Sequence, residues 1–429
     1  MKKIVSAVAL AAVAASLATA ELTSSLNVRM GGSALTKTMA DAGDTTNVLD
    51  LGSSDFGCDS LTFKASNDYA GVTLNWGASL QEKQKKSNQA IAFWTNNGKG
   101  VELSAWLKPA SWLKFQIGAH KDGIWTVEQV KKDTDDTSWS GAGKYAFLYK
   151  PGVASKNSTG YFLDALTDVL NGGQTYLFAD FTFLEGQLTI RPTFVNTGVD
   201  FFQKVAADKK GDDPTMKTAP GAMVMFKNDA VKINLDFQMP TNKDIAFGIY
   251  GSPLGLADGA LQLMAGFTLA TNTSDATDNL GYENVARDTT FYAVDLRVRY
   301  VAGDFHIANA FNFTGASEDG KIVDNADATK VTRTGDAHIW DAIFLTYKLN
   351  DNWTITGDVQ IDAYTGDDTV TDLYITPGVM YTAGKGATIT AGLHFKIADL
   401  SDATATTPAT SGNGKTTTIA IPFVFRVKM

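Results

Sequence analysis

Four histidines, a single cysteine and several dense acidic runs are the residues of this chain that could do metal or acid–base chemistry. His120, His306, His338 and His394 lie far apart, no H-x-x-x-H pair occurs, and Cys58 stands alone, so no transition-metal spacing is present. Asp133/Asp135/Asp136, Glu318/Asp319/Asp324/Asp327 and Asp362/Asp367/Asp368 offer the oxygens that Ca²⁺ takes, but none has the EF-hand order of glycine and terminal glutamate. A Ser/His/acid site needs no sequence adjacency, yet no G-x-S-x-G elbow is found. No catalytic residue, metal site or cofactor is predicted; the acids read as solvated loop charge. Asn157-Ser158-Thr159 fits a glycosylation acceptor, a three-residue match of little weight.

What positions these side chains follows from composition and pattern. The chain has 429 residues, 44% of them hydrophobic and 19% charged. Its 39 glycines exceed the ~30 of average usage. This excludes a disordered chain and a collagen repeat. Past residue 20 no apolar run is long enough to cross a bilayer as a helix, so only a β route across a membrane is open.

Residues 1–20 are read as an export signal. Lys2 and Lys3 precede the apolar stretch Ile4 to Leu17, and Ala18-Thr19-Ala20 fits an A-x-A processing site, so the mature protein is expected to start at Glu21. Its loss takes the formal charge from −9 to −11. With no basic run, nucleic acid is not a partner. A lone cysteine allows no internal disulfide, so core burial or sheet closure must hold the exported chain.

From 21 to 429 one pattern recurs, read as a single domain: about ten residues alternating apolar and polar, then turn residues. Val231, Ile233, Leu235, Phe237 and Met239 share one face, while Lys232, Asn234, Asp236 and Gln238 share the other. The same alternation runs through Leu113 to Ile117, Tyr292 to Tyr300 and Ala387 to Ile397. Short turns (Glu185-Gly186, Lys227 to Asp229, Val301 to Asp304, Asn350 to Asn352, Ala383 to Gly386) alternate with long polar stretches (Asn196 to Ala219, Thr271 to Asp288, Gly315 to Asp336, Ala398 to Lys415). That is the connectivity of an up-and-down barrel with short periplasmic turns and long extracellular loops.

In the first third, Lys108-Pro109-Ala110-Ser111 is read as a turn. A strand over Ile124–Val130 is invoked to keep the parity, and Tyr161–Leu170 reads as a short helix. The count is about 20 strands, with 16 or 18 equally supported.

Charge decides which solvent meets which face. The polar rows carry Arg29, Lys64, Lys114, Arg191, Lys232, Arg297, Arg299, Lys348, Lys396, Arg426 and Lys428, with Glu102, Asp180, Asp236, Asp295, Asp358, Asp362 and Asp372. A one-residue slip would put Arg297 and Arg299 in lipid at roughly 2–4 kcal/mol each near the midplane. The predicted fold is therefore all-β, a transmembrane antiparallel barrel with outer-membrane lipid against its apolar face. Asp341, on an apolar row, is the exception.

The last segment, Ile419 to Met429, places Ile419, Ile421, Phe423, Phe425, Val427 and Met429 on one face. It resembles the terminal strand that bacterial outer-membrane barrels present to their insertion machinery, departing in its final Met429 and in Pro422, which removes a ladder donor. With the export signal and the opening Glu21 to Leu35, the strand texture resembles the spirochaete outer-membrane porin group, including the treponemal major outer sheath proteins. The resemblance implies pore formation, surface exposure and the insertion machinery as a partner.

The leading functional reading is a water-filled channel for small hydrophilic solutes. Its expected pore-lining residues are Lys64, Lys114, Arg191, Lys232, Asp236, Asp295, Arg297, Arg299, Asp358, Lys396 and Arg426. The polar rows sum to about +4 while the loops are acidic, so the pore is expected to be anion-leaning or unselective. The alternative is an adhesin or coat protein whose long loops bind host ligands on a barrel mount. A third reading, a secreted soluble β protein, predicts no conductance. No plug domain is expected before the first strand, a homo-oligomer is compatible with the reading, and no residue specifies its stoichiometry.

Overall fold

The computed structural model describes residues 21–40, 43–51, 59–78, 101–119, 176–196, 218–239, 245–272, 289–316, 322–324, 333–335, 337–365, 370–384, 386–399 and 415–429. The export signal expected over residues 1–20, the strand expected over Ile124–Val130 and the helix expected over Tyr161–Leu170 lie outside them.

The alternating segments are strands. The first six are β1 (Glu21–Met39), β2 (Thr45–Leu51), β3 (Asp59–Ser66), β4 (Ala70–Ala78), β5 (Val101–Ala110) and β6 (Leu113–Ala119). There follow β7 (Tyr176–Phe183), β8 (Leu188–Asn196), β9 (Thr218–Lys227), β10 (Val231–Gln238), β11 (Ala246–Pro253), β12 (Leu261–Asn272), β13 (Thr289–Ala302) and β14 (Phe305–Ala316). A small ribbon, β15 (Ile322–Asp324) and β16 (Arg333–Gly335), precedes β17 (Ala337–Lys348), β18 (Trp353–Thr365), β19 (Val370–Gly384), β20 (Ala387–Gly392), β21 (His394–Asp399) and β22 (Lys415–Lys428).

Apart from the ribbon, these strands form one antiparallel sheet of 20 segments. Strands adjacent in the wall pair antiparallel, and β22 returns to β1 from Asn27↔Lys428 to Met39↔Thr417, closing a barrel. β2 and β3 lie end to end beside β1, and β20 and β21 lie end to end between β19 and β22, so the 20 segments fill 18 wall positions. That number falls within the predicted range of 16 to 20.

The short turns gather at one end with both Glu21 and Met429. Three of them use one device: Asn67, Asn228 and Asn350 each turn a side-chain Oδ1 back to accept two backbone N–H bonds at 2.9–3.0 Å. In the last, Lys348 also donates to Asp351 at 2.8 Å, which holds the Asp351 carboxyl below its ordinary range. Leu184-Glu185-Gly186 and Ala257-Asp258-Gly259 instead carry consecutive positive φ values, 50° to 96° and 48° to 87°, which match the twist of a tight hairpin.

Among the described residues the parity of the first third is carried by direct pairing of β6 with β7. β5 continues through Lys108 and Pro109 to Ala110, with a register shift after Leu107, and the turn is at Ser111-Trp112. β6 ends at Ala119 and β7 begins at Tyr176, both at the end opposite the short turns, and the two strands pair directly. At that end, however, β10–β11 and β18–β19 are joined by short segments, 239–245 and 366–369.

Burial is inverted relative to a water-soluble protein. In β10, Lys232, Asn234 and Asp236 are buried while Leu235 and Phe237 are 37% and 40% exposed. β17 repeats this: His338, Trp340, Ala342 and Phe344 are buried, and Ile343, Leu345 and Tyr347 are exposed. An apolar outer surface on a closed sheet needs hydrocarbon as its solvent, and closure leaves no backbone edge unpaired in it.

Part of the glycine excess has a packing reason. Trp106 lies over Gly71, Tyr176 over Gly118, Tyr250 over Gly266 and Tyr292 over Gly315, each ring covering a glycine directly opposite on the neighbouring strand. A Cβ at Gly266 would fall inside contact distance of the Tyr250 ring. Gly266→Ala is expected to destabilise the barrel by about 1–3 kcal/mol. A lowered urea midpoint of the protein folded in lipid vesicles would show it, and Gly251→Ala, where the added Cβ meets only a backbone oxygen at 3.8 Å, should leave the midpoint nearly unchanged.

Candidate functional site: the charged inner wall

The inner rows follow from register. Counting by twos from buried Lys232 across paired strands leads through Met225, Thr189 and Met223 to Arg191, then Asp180 and Lys114 in one direction. In the other it leads through Ser252 and Tyr250, then Gly266 and Met264, to Arg297 and Arg299. Lys64, Asp236, Asp358, Lys396 and Arg426 occupy the same set of rows, and Asp295 has its register position there, between Gly266 and Asn312.

These residues are distributed around the wall, not gathered at one point. One cluster sits on β6–β8. Arg191 donates from Nε and Nη2 to the two oxygens of Asp180 at 2.5 and 2.9 Å, and its guanidinium lies 3.9 Å from the Phe178 ring centre. Lys114 Nζ lies 5.4 Å from the Trp106 ring and 5.8 Å from that of Phe178. Arg299 donates to Gln262 Oε1 at 3.0 Å.

A second cluster lies on β18, β19 and β21. Lys396 Nζ is 3.3 Å from Asp372 Oδ2, which also accepts from Tyr374 OH at 2.9 Å, and the ammonium sits 5.1 Å from the Tyr374 ring. Gln360 Nε2 donates to Asp358 Oδ1 at 2.8 Å, and Thr376 Oγ1 meets His394 Nδ1 at 2.9 Å. On adjacent positions, Trp340 Nε1, Thr356 Oγ1, Asp358 Oδ2 and Gln360 Oε1 are buried without a hydrogen-bond partner among the described residues.

The inner wall is more aromatic than its polar reading. Trp106, Phe178 and Tyr374 share rows with Ser104, Asp180 and Asp372, so the parity already marked them as inward. Their role is to hold cations flat against the wall, where the face of an aromatic ring attracts positive charge. Arg191 is ion-paired with Asp180 and Lys396 with Asp372; both members of each pair are already in the +4 sum, so the pairing leaves it unchanged. His338 and His394 are buried on the inner rows and His306 is half-buried there; His120 lies outside the described residues. Among the described residues no group of three His, Cys, Asp or Glu side chains could hold a metal ion.

A closed transmembrane β-barrel with charged inner rows is the class of protein these observations define. No protein family and no curated protein matches the chain. Solved structures with a similar fold include an anion-selective porin from Comamonas acidovorans, at 10% identity and TM-score 0.47, covering 96% of this chain and 100% of that one. OpdO from Pseudomonas aeruginosa matches at 8% identity and TM-score 0.47, over 95% and 97% of the two chains. OmpT, an outer membrane protein of Vibrio cholerae, matches at 10% and 0.43, over 96% and 98%.

Removing one partner of a buried ion pair leaves the other charge uncompensated. Asp180→Asn should therefore cost roughly 3–5 kcal/mol of stability, read as a lowered urea midpoint, whereas the Asp180→Asn/Arg191→Met double variant should recover most of it. Equal losses in both variants would show that the pair contributes packing alone.

Proposed function

We propose that this protein is a porin of a bacterial outer membrane, forming a water-filled channel for passive diffusion of small hydrophilic solutes. The inverted burial carries the reading: charged and polar side chains line the inside of a closed wall whose outside is apolar. A wall of 18 positions belongs to the size class, about 16–18 strands, that encloses an aqueous channel. The export signal and the terminal strand fit delivery to that membrane, and the likeness to the spirochaete porin group is part of the same reading.

Selectivity follows from the arc between β6 and β13. Lys114, Lys232, Arg297 and Arg299 outnumber the carboxylates there once Asp180 is set against Arg191, while Asp358, Asp362 and Asp372 lie on the β18–β19 side. The channel is read as weakly anion-leaning.

Planar-bilayer recording of the refolded protein tests this. Stepwise conductance is expected, with a reversal potential of anion-selective sign in a dilute KCl gradient, and Arg297→Gln/Arg299→Gln should move that potential toward the cation side. Absence of conductance from protein shown to be folded overturns the channel; cation preference of the unaltered protein overturns the lean alone.

A further inference from the structure

Two arginines and two acceptor side chains lie on opposite sides of an apolar strip of the inner wall. The register runs from Arg297 on β13 through Ala310 and Ala342 to Gln360 on β18, and, one inner row along, from Arg299 through Ala308 and Phe344 to Asp358. The three alanines and Phe344 pack with Trp340 as one buried apolar cluster, so no charge interrupts either line.

The acceptor edge is built on one strand. Gln360 Nε2 donates to Asp358 Oδ1 at 2.8 Å, which settles which end of the amide is the donor. Asp358 Oδ2 and Gln360 Oε1 are then acceptors two residues apart, and neither receives a hydrogen bond among the described residues. Thr356 Oγ1, next in the same row, has no partner there either. All three side chains are at most 3% exposed. Leaving a buried acceptor without a donor is costly, and a row of them that includes a carboxylate suits an ammonium, which carries three N–H donors.

The cationic edge suits the opposite charge. Arg299 is anchored by Gln262 at 3.0 Å, on β12, the far side of β13 from the strip. Arg297 beside it is half-buried, and a guanidinium takes a carboxylate through two parallel N–H bonds. Elsewhere the wall brings opposite charges into contact, Arg191 with Asp180 at 2.5 Å and Lys396 with Asp372 at 3.3 Å. Here the register holds the two edges three strand steps apart, ~14 Å between backbones at ~4.8 Å a step. A molecule with both charges at its ends bridges that distance.

We infer that this strip is a binding site for a compact zwitterion, an amino acid or dipeptide, with its carboxylate on Arg297 and Arg299 and its ammonium on Asp358 and Gln360. The inference rests on the channel reading and names a class of solute for it. Length limits the ligand: extended peptide covers ~3.5 Å per residue, so once the side chains of both edges have taken their share of the gap, one or two residues fill the rest. Trp340 Nε1, two residues from Ala342 and without an acceptor among the described residues, supplies a donor for a peptide carbonyl.

The test is uptake by proteoliposomes. Labelled glycylglycine is compared with N-acetylglycine, which carries only the negative charge, glycinamide, which carries only the positive, and N-acetylglycinamide, which carries neither. Saturation is expected for glycylglycine alone, with linear uptake of the other three to concentrations tenfold beyond its half-saturation. Arg297→Gln and Asp358→Asn should each raise that half-saturation at least tenfold, in protein whose heat-modifiable gel mobility shows it folded. The probe comparison uses the unaltered protein, so it decides the inference even where a variant does not fold. Linear glycylglycine uptake, equal saturation by a singly charged probe, or an unmoved half-saturation in either folded variant overturns the inference and leaves the channel standing. No KCl conductance and no uptake of any probe overturns the channel, and the inference with it.

Discussion

Inside hydrocarbon no water is present to satisfy a free backbone N–H or C=O, and the whole structure answers to that constraint. The ladder between β1 and β22 lets the wall meet it, because this pairing turns an open sheet with two edges into a closed one. Its weak point is Pro422, which has no N–H to donate. Both neighbours yield there. β1 shifts register between Ser33 and Thr36, where Ser33 Oγ donates to the Leu35 carbonyl at 2.6 Å and Thr36 Oγ1 donates to Ser33 Oγ at 2.9 Å. On the other side β20 ends and β21 begins, at Gly392 and His394, so neither flank asks Pro422 for the missing donor.

Closure also decides where polarity goes. With one face committed to lipid, most charge on the strands collects inside, Asp341 and Lys37 being exceptions, and several of the inner charges are paired or laid against an aromatic ring. Arg191 between Asp180 and Phe178, and Lys396 between Asp372 and Tyr374, show the same arrangement on separate parts of the wall. The side chains that hold the cations lie on neighbouring strands or two residues along the same inner row. The interior is therefore fixed by the same alternation that fixes the outside.

Much of this was legible because period-two alternation is a local signal. Lys232 to Phe237 declares both its strand and its two faces without any knowledge of neighbours. Cross-strand facts were hidden for the complementary reason. Nothing around Gly266 reveals that Tyr250 will cover it, and nothing around Pro109 shows that β5 runs past it before turning. The parity of the first third looked broken because β6 and β7 are separated by residues 120–175 yet lie side by side. Asp341 was visible as an anomaly on its row, but its partner Asn309 is 32 residues away and only the β14–β17 register brings them together.

The seam has a temporal meaning. Its partners come from opposite ends of the chain, with Met429 exchanging backbone hydrogen bonds with Leu26 at 2.7 and 2.8 Å. Neighbouring hairpins along the wall join residues near in sequence, but this contact joins the first and the last of the described strands. A chain cut short before β22 is not a narrower cylinder; it is a sheet with two sticky margins and no way to shed them. The molecule thus has no half-built state that a bilayer would accept, and its assembly must wait for its own last word.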